Sequence, residues 1–309
     1  MLSQKQTAIS AVKKALQKSK KTVVWILKII LPVSLFVSFL QYWGVIELIS
    51  AALTPLFIFL GLPGEAAIVF ISSIFLPLYA PIAIIATLSL SLREITILAL
   101  MCLISHNLIV ETAVQSKTGS SAWFIALLRI SSSIVVALCL NWLLPADMGR
   151  ALLSGQTVEV PTSVMEVLLN WVKMACNITI KLIIIVTLLM FLQSFLKEFH
   201  WLDKLSKPFA PIMNLLGLDS QSSFLWIVAQ IVGLTYGSAV LLEEVNEHAL
   251  PQRQVNLLNY HIAVNHSLLE DTFLFVAIGV PILWILIPRL IVALIIVWTM
   301  RAFYYFHRK

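Results

Sequence analysis

Charge is scarce in these 309 residues: 12% are Asp, Glu, Lys or Arg, against 60% hydrophobic, and the mean hydropathy is +0.96. A soluble core of this length has no use for so much apolar surface, so the composition excludes a soluble domain and implies a polytopic membrane protein. Cysteine is scarce too. Cys102, Cys139 and Cys176 lie in apolar stretches without paired spacing, which implies packing residues rather than a disulfide framework. There is no Walker A sequence and no G-x-G-x-x-G, so the chain alone does not drive transport with ATP. No nucleophile elbow supports a Ser or Cys nucleophile, and the chain is not expected to be an enzyme.

Acid is absent from residues 1–21, which hold six lysines. A second basic group, Arg301, His307, Arg308 and Lys309, ends the chain. Basic ends beside apolar spans place both termini in the cytoplasm. The first basic run either sets topology alone or lies on anionic lipid as a helix striped by Ile9, Val12 and Leu16. The charge stops where the apolar spans begin, so no nucleic-acid partner is expected. The segment after the lysines, "TVVWILKIILPVSLFVSFLQYWG", lacks an A-x-A-like cleavage site and reads as a retained span.

Aligned on itself, the sequence repeats. At an offset of 156, "LTPLFIFLGL" (53–62) falls on "FAPIMNLLGL" (209–218), matching Pro55 with Pro211 and Gly61 with Gly217. At 160, Arg93 meets Arg253, His106 meets His266, Glu111 meets Asp271, Thr112 meets Thr272 and Arg129 meets Arg289. "YWGVIELISAA" has no Lys or Arg, whereas its counterpart "LKEFHWLDKLSKP" has three Lys. Equivalent positions therefore belong on opposite sides of the membrane, as in an inverted repeat.

Each copy shows four apolar segments: 22–43, 64–92, 94–115 and 121–145, then 170–196, 222–246, 254–279 and 281–304. An inverted repeat needs an odd number of crossings. The second segments are interrupted at "PLYAP" (77–81) and "GLTYG" (233–237), leaving arms too short for the ~30 Å hydrocarbon core. They read as re-entrant helical hairpins, each preceded by an interfacial helix ending in Gly-Leu (45–62 and 201–218). The expected fold is all-α: two inverted repeats, each of about three transmembrane helices plus a hairpin and an interfacial helix. Its expected parts are a basic amphipathic terminus (1–21), a first repeat (22–145), a linker (146–163) and a second repeat (164–306).

Polar residues then stand out: "SHNLIVET" (105–112) in one copy and "NHSLLEDT" (265–272) in the other. Backbone that leaves helix at membrane depth must be buried in protein or line a watery cavity. Two such patches and two hairpin tips point to one central site at the repeat interface, where alternating-access transporters place substrate. Its expected members are Ser105, His106, Asn107, Glu111, Thr112, Asn265, His266, Ser267, Glu270, Asp271 and Thr272, with Gln230 and the tip residues Tyr79 and Tyr236. On a continuous helix His266 and Glu270 share a face and Asp271 points away; His106 and Glu111, five apart, meet only if the helix breaks. A buried carboxylate beside histidine suits proton handling, and a packed structural pair is the alternative.

Arg129 and Arg289 lie about 12 Å into their spans, where each needs a partner. Glu111 and Asp271 are the natural ones, and a bound anion is the other. Lys173 and Lys181 have stems long enough to snorkel. Cys102 with His106, and His266 with Glu270, offer only weak metal-ligand pairs, so no metal or other cofactor is expected.

The Gly-Leu-ended helix, the Pro- or Gly-broken hairpin, and then "SHNLIVET" or "NHSLLEDT" together resemble the nucleoside-recognition, or Gate, domain over roughly 45–145 and 201–304. That domain is shared by concentrative nucleoside transporters, the membrane part of the bacterial ferrous-iron transporter, spore maturation A and B proteins and small bacterial inner-membrane proteins. The resemblance implies a multi-pass bacterial inner-membrane protein with paired hairpins and broken helices around a central site. The chain departs from its better-known relatives in lacking a G domain and any nucleoside-transporter motif outside the Gate units, so substrate does not follow. The expected function is a secondary transporter, coupled to protons, of a small polar or anionic solute that is nucleoside-like by resemblance. A divalent-metal permease, a lipid or lipid-phosphate transporter and a non-transporting scaffold are the alternatives. Expected partners are that solute, protons or another coupling ion, membrane lipids and a second copy of the chain.

Overall fold

The computed structural model describes residues 4–149, 163–199, 201–234 and 251–307. Among these the chain is helical and without strands, and five helices are long and apolar enough to cross a membrane. Large apolar side chains such as Trp123, Trp142, Leu188 and Phe306 face outward, while Arg129, Arg289 and His261 are fully buried. This is the distribution of a polytopic membrane protein, whose lipid-facing surface is apolar and whose ionisable groups face the interior.

Helix α1 runs unbroken from Gln4 to Tyr42. The basic terminus is thus the first half of a long helix. Ala11, Ala15, Ser19, Ile26 and Ile30 form its buried stripe, and the small residues at the start let it approach α8 (Val164–Glu198) closely. Ile9, Val12 and Leu16 lie on the exposed side. Lys14 pairs with Glu198, Ser19 hydrogen-bonds Thr187 at 2.7 Å, and Trp171 donates to Ser34. As numbers rise in α1 they fall in α8, so the two first helices of the copies are antiparallel.

The remaining elements follow in matching order. In the first copy α2 (Val45–Phe57) leads to α3 (Ala66–Phe75), α4 (Tyr79–Ile85), α5 (Leu92–Ser105), α6 (Leu108–Lys117) and α7 (Ala122–Leu143). In the second, α9 (Trp201–Leu215) leads to α10 (Ser223–Ile231), α11 (Gln252–Val264), α12 (Glu270–Val276) and α13 (Ile282–Phe306). Gly61 and Gly217 end α2 and α9 in the left-handed region, at φ 71° and 75°. In both copies the residue after the glycine donates back five positions, Leu62 to Phe57 and Leu218 to Met213, closing the same C-cap.

The expected hairpin over 64–92 consists of α3 and α4, which pack on each other across an extended Leu76. In the second copy α10 provides the first arm, and the return arm, with Tyr236, falls outside the described residues. The two spans after the hairpins are each interrupted. The first breaks over two residues between α5 and α6. The second breaks over five between α11 and α12, and 254–279, expected as a crossing, is not among the five candidates, whereas Leu92–Lys117, with its shorter break, is. Helix α5 is buried on almost every side and forms the centre of the larger core.

Candidate functional site

The two helix breaks are built alike. Asn107 and Ser267 both adopt φ 48°, a left-handed conformation that non-glycine residues rarely take. Each donates its backbone N–H to the first arm of its own copy's hairpin segment, Asn107 to Ser73 and Ser267 to Ala229. A break leaves helix-end carbonyls without partners. The arginines supply them. Arg129 donates to the carbonyls of Ile104 and His106 at 2.7 and 2.8 Å; Arg289 donates to those of Val264 and His266.

These breaks bring His106 and Glu111 of the first copy against His266 and Asp271 of the second. Nδ1 of His106 meets the carbonyl of Cys102 and Nδ1 of His266 that of Ile262, at 3.1 and 2.8 Å. The two rings lie 5.2 Å apart, and Nε2 of each is 3.2 Å from a different oxygen of Glu111. Asp271 approaches His106 Nε2 to 3.7 Å, and Arg129 pairs with Glu111 at 2.8 Å. All five are buried.

The helical-face expectation for the second copy is reversed. Because α11 stops at Val264 and helix resumes only at Glu270, Asp271 joins the histidines. Glu270 instead accepts from Tyr79 Oη at 2.7 Å and Gln193 Nε2 at 3.4 Å. The hairpin tip of the first copy is thereby tied to the second. Arg289 makes no ion pair with Asp271 among the described residues; its contacts are the two carbonyls. Cys102 meets His106 through its carbonyl, and its thiol is not part of the cluster.

Beside this cluster lies a cavity of about 520 Å³. Tyr79, His106, Asn107, Val110 and Glu111 line it from the first copy, and Gln193, Ser267, Glu270 and Asp271 from the second. Along α1 it passes Trp25, Thr22 and Lys18, one helix face leading toward the basic terminus. Ser105, Thr112, Gln230, Asn265 and Thr272 stay out of the lining. Ser105 bonds within its own helix, Gln230 donates to the Asn265 carbonyl, and the Thr112 and Thr272 hydroxyls are buried without partners. Gln193 and Trp25 were not anticipated. Gln193 had one signal, being an isolated amide in an apolar run.

Helices that recur in matching order, five of them candidate membrane spans, with polar side chains from both copies bordering one cavity, define an all-α polytopic membrane protein. The nucleoside recognition (Gate) family matches residues 23–119, beginning at the first span and ending just after α6. The chain is 32% identical over 271 residues to the uncharacterized membrane protein YvoD of Bacillus subtilis (strain 168), covering 87% of each. It belongs with that protein to the nucleoside recognition family of membrane proteins. No solved structure matches it.

Proposed function

We propose that this chain is a secondary transporter that binds a small polar or anionic solute in the cavity between its two copies and couples its movement to a cation held at the His106–His266–Glu111–Asp271 cluster. The observation that carries this reading is the cavity's lining, to which both copies contribute polar side chains at their helix breaks. Its volume falls within the range of small-ligand sites, ~300–1,000 Å³. The antiparallel packing of α1 on α8 supports an inverted repeat, the arrangement that lets one copy rock against the other around a fixed site.

A cation is called for by charge. Of the three carboxylates here, Glu111 pairs with Arg129, Glu270 accepts from Tyr79 and Gln193, and Asp271 approaches His106, while Arg289 is engaged by carbonyls. With neutral histidines the buried carboxylate of Asp271 has no ion pair among the described residues, and a buried unmatched charge is costly. Uptake by the purified protein in liposomes, screened over pools of polar solutes with and without an imposed cation gradient, tests the proposal. Gradient-dependent uptake lost in Glu270→Gln is the expected result. A chain that moves no solute under any gradient is a scaffold or a lipid-handling protein instead.

A further inference from the structure

The geometry of the cluster points to a more specific occupant. Backbone carbonyls only accept hydrogen bonds, so the Nδ1 atoms of His106 and His266, which face the carbonyls of Cys102 and Ile262, carry the hydrogens. In a neutral ring Nε2 is then a bare lone pair. Both Nε2 atoms point at the carboxylate of Glu111, which offers only lone pairs of its own. Acceptors thus converge from four side chains. Nε2 of His266 and Oδ2 of Asp271 are both buried and make no hydrogen bond.

We propose that His106 Nε2, His266 Nε2 and Asp271 Oδ2, with Glu111 beside them, form a binding site for a divalent transition-metal ion that leaves one coordination position open to the cavity. The three atoms lie within 4.8 Å of one another, and the His106–Asp271 and His–Glu111 separations are 3.7 and 3.2 Å. Ligands on a tetrahedral ion at about 2.1 Å stand about 3.4 Å apart, so small shifts of side chains close the site. Two imidazole nitrogens select zinc, cobalt, iron or nickel over magnesium and calcium, which take oxygen. A carbonyl on each Nδ1 is the usual outer support of a metal-bound histidine, because it fixes ring and tautomer. Arg129, ion-paired with Glu111 at 2.8 Å, holds that carboxylate beside the histidines.

The open side follows from the lining. His106, Glu111 and Asp271 border the cavity, whereas His266 closes the site from behind. A solute carrying an oxygen or nitrogen donor can therefore reach the ion. The inference deepens the transport reading and rests on the same cavity, but it is measured without transport.

The test is a Co²⁺ titration of the full chain, purified in detergent and stripped with a chelator. The expected result is a visible d–d absorption of four- or five-coordinate cobalt, saturating at one ion per chain and bleached by Zn²⁺. Replacing both histidines, His106→Gln with His266→Gln, should remove it, while Glu270→Gln should keep it. His266→Cys should retain the ion and add a sulfur-to-cobalt charge-transfer band in the near ultraviolet, a gain that a misfolded variant does not show. No absorption in the unsubstituted chain, absorption unchanged in the double variant, or no new band in a folded His266→Cys protein each overturns the site. Solute uptake without cobalt binding sinks the metal site alone; cobalt binding without uptake of any solute sinks the transporter alone.

Discussion

Oε2 of Glu111 lies 3.2 Å from Nε2 of His266 and 2.8 Å from Nη2 of Arg129, so one carboxylate joins a side chain of each copy. The same guanidinium holds the carbonyls of Ile104 and His106. Breaking the helix, orienting the histidine and neutralising the acid are therefore coupled tasks of a single arginine.

The two arginines are expected to differ. Arg129→Met strands a buried carboxylate and two carbonyls, and should cost ~3–5 kcal/mol. Arg289→Met loses charged hydrogen bonds to carbonyls but no ion pair among the described residues, and should cost ~1.5–3 kcal/mol. Denaturant unfolding in detergent micelles measures both, and equal losses would contradict the assignment. Replacing Glu111 and Arg129 together by Leu should recover only part of the loss, since the carbonyls still lack donors.

Cysteines introduced at Ser19 and Thr187, whose hydroxyls are 2.7 Å apart, should cross-link on oxidation. With a protease site inserted within 146–163, the cleaved halves should then migrate together on a non-reducing gel. Cysteines near Ile46 and Leu202 should react with impermeant reagents from opposite sides of the membrane. Labelling from one side would refute the inverted repeat.

Tyr79→Phe removes the hydroxyl that meets Glu270 and leaves a half-buried carboxylate oxygen with one partner fewer. A destabilisation of ~1–3 kcal/mol is expected. Solute uptake should fall further than the melting temperature implies, because the hairpin tip loses its tie to the second copy. Uptake at the unsubstituted rate would remove Tyr79 from the site.

Gly61→Ala and Gly217→Ala should each cost ~1–2 kcal/mol from the left-handed backbone alone. Contact adds to this: a Cβ at 61 collides with the Asn141 side chain, and one at 217 comes 2.9 Å from Val297. Thermal unfolding of the single variants checks this, with Gly149→Ala, which meets nothing, as the probe of backbone strain without contact.

Class and repeat were legible in the sequence because composition decides the first, and because polar residues in apolar spans are conspicuous enough to align. The helix breaks were half legible. The five-residue spacing of His106 and Glu111 lets them share a site only with a break, but nothing in "NHSLLEDT" marks a five-residue gap, since Ser267 at positive φ has no residue-type signature. That gap decides whether Glu270 or Asp271 faces His266. Gln193 was hidden for another reason: its counterpart at offset 156 is Val37, so comparing the copies does not pick it out. The basic terminus carries neither Pro nor Gly to separate it from the first span, and helix simply continues through it.

Val110 and Glu270 occupy equivalent positions in the two copies, and both border the cavity. The scaffold is pseudo-symmetric, but its lining is not. Glu111 and Asp271 put an acid on both sides. At this further pair, however, a molecule meets a second acid from one copy and a branched alkane from the other, so turning it end over end does not give the same complex. The chamber has a head and a tail. A repeat within one chain makes such polarity available, whereas two identical half-size subunits would have to carry the second acid on both sides or on neither.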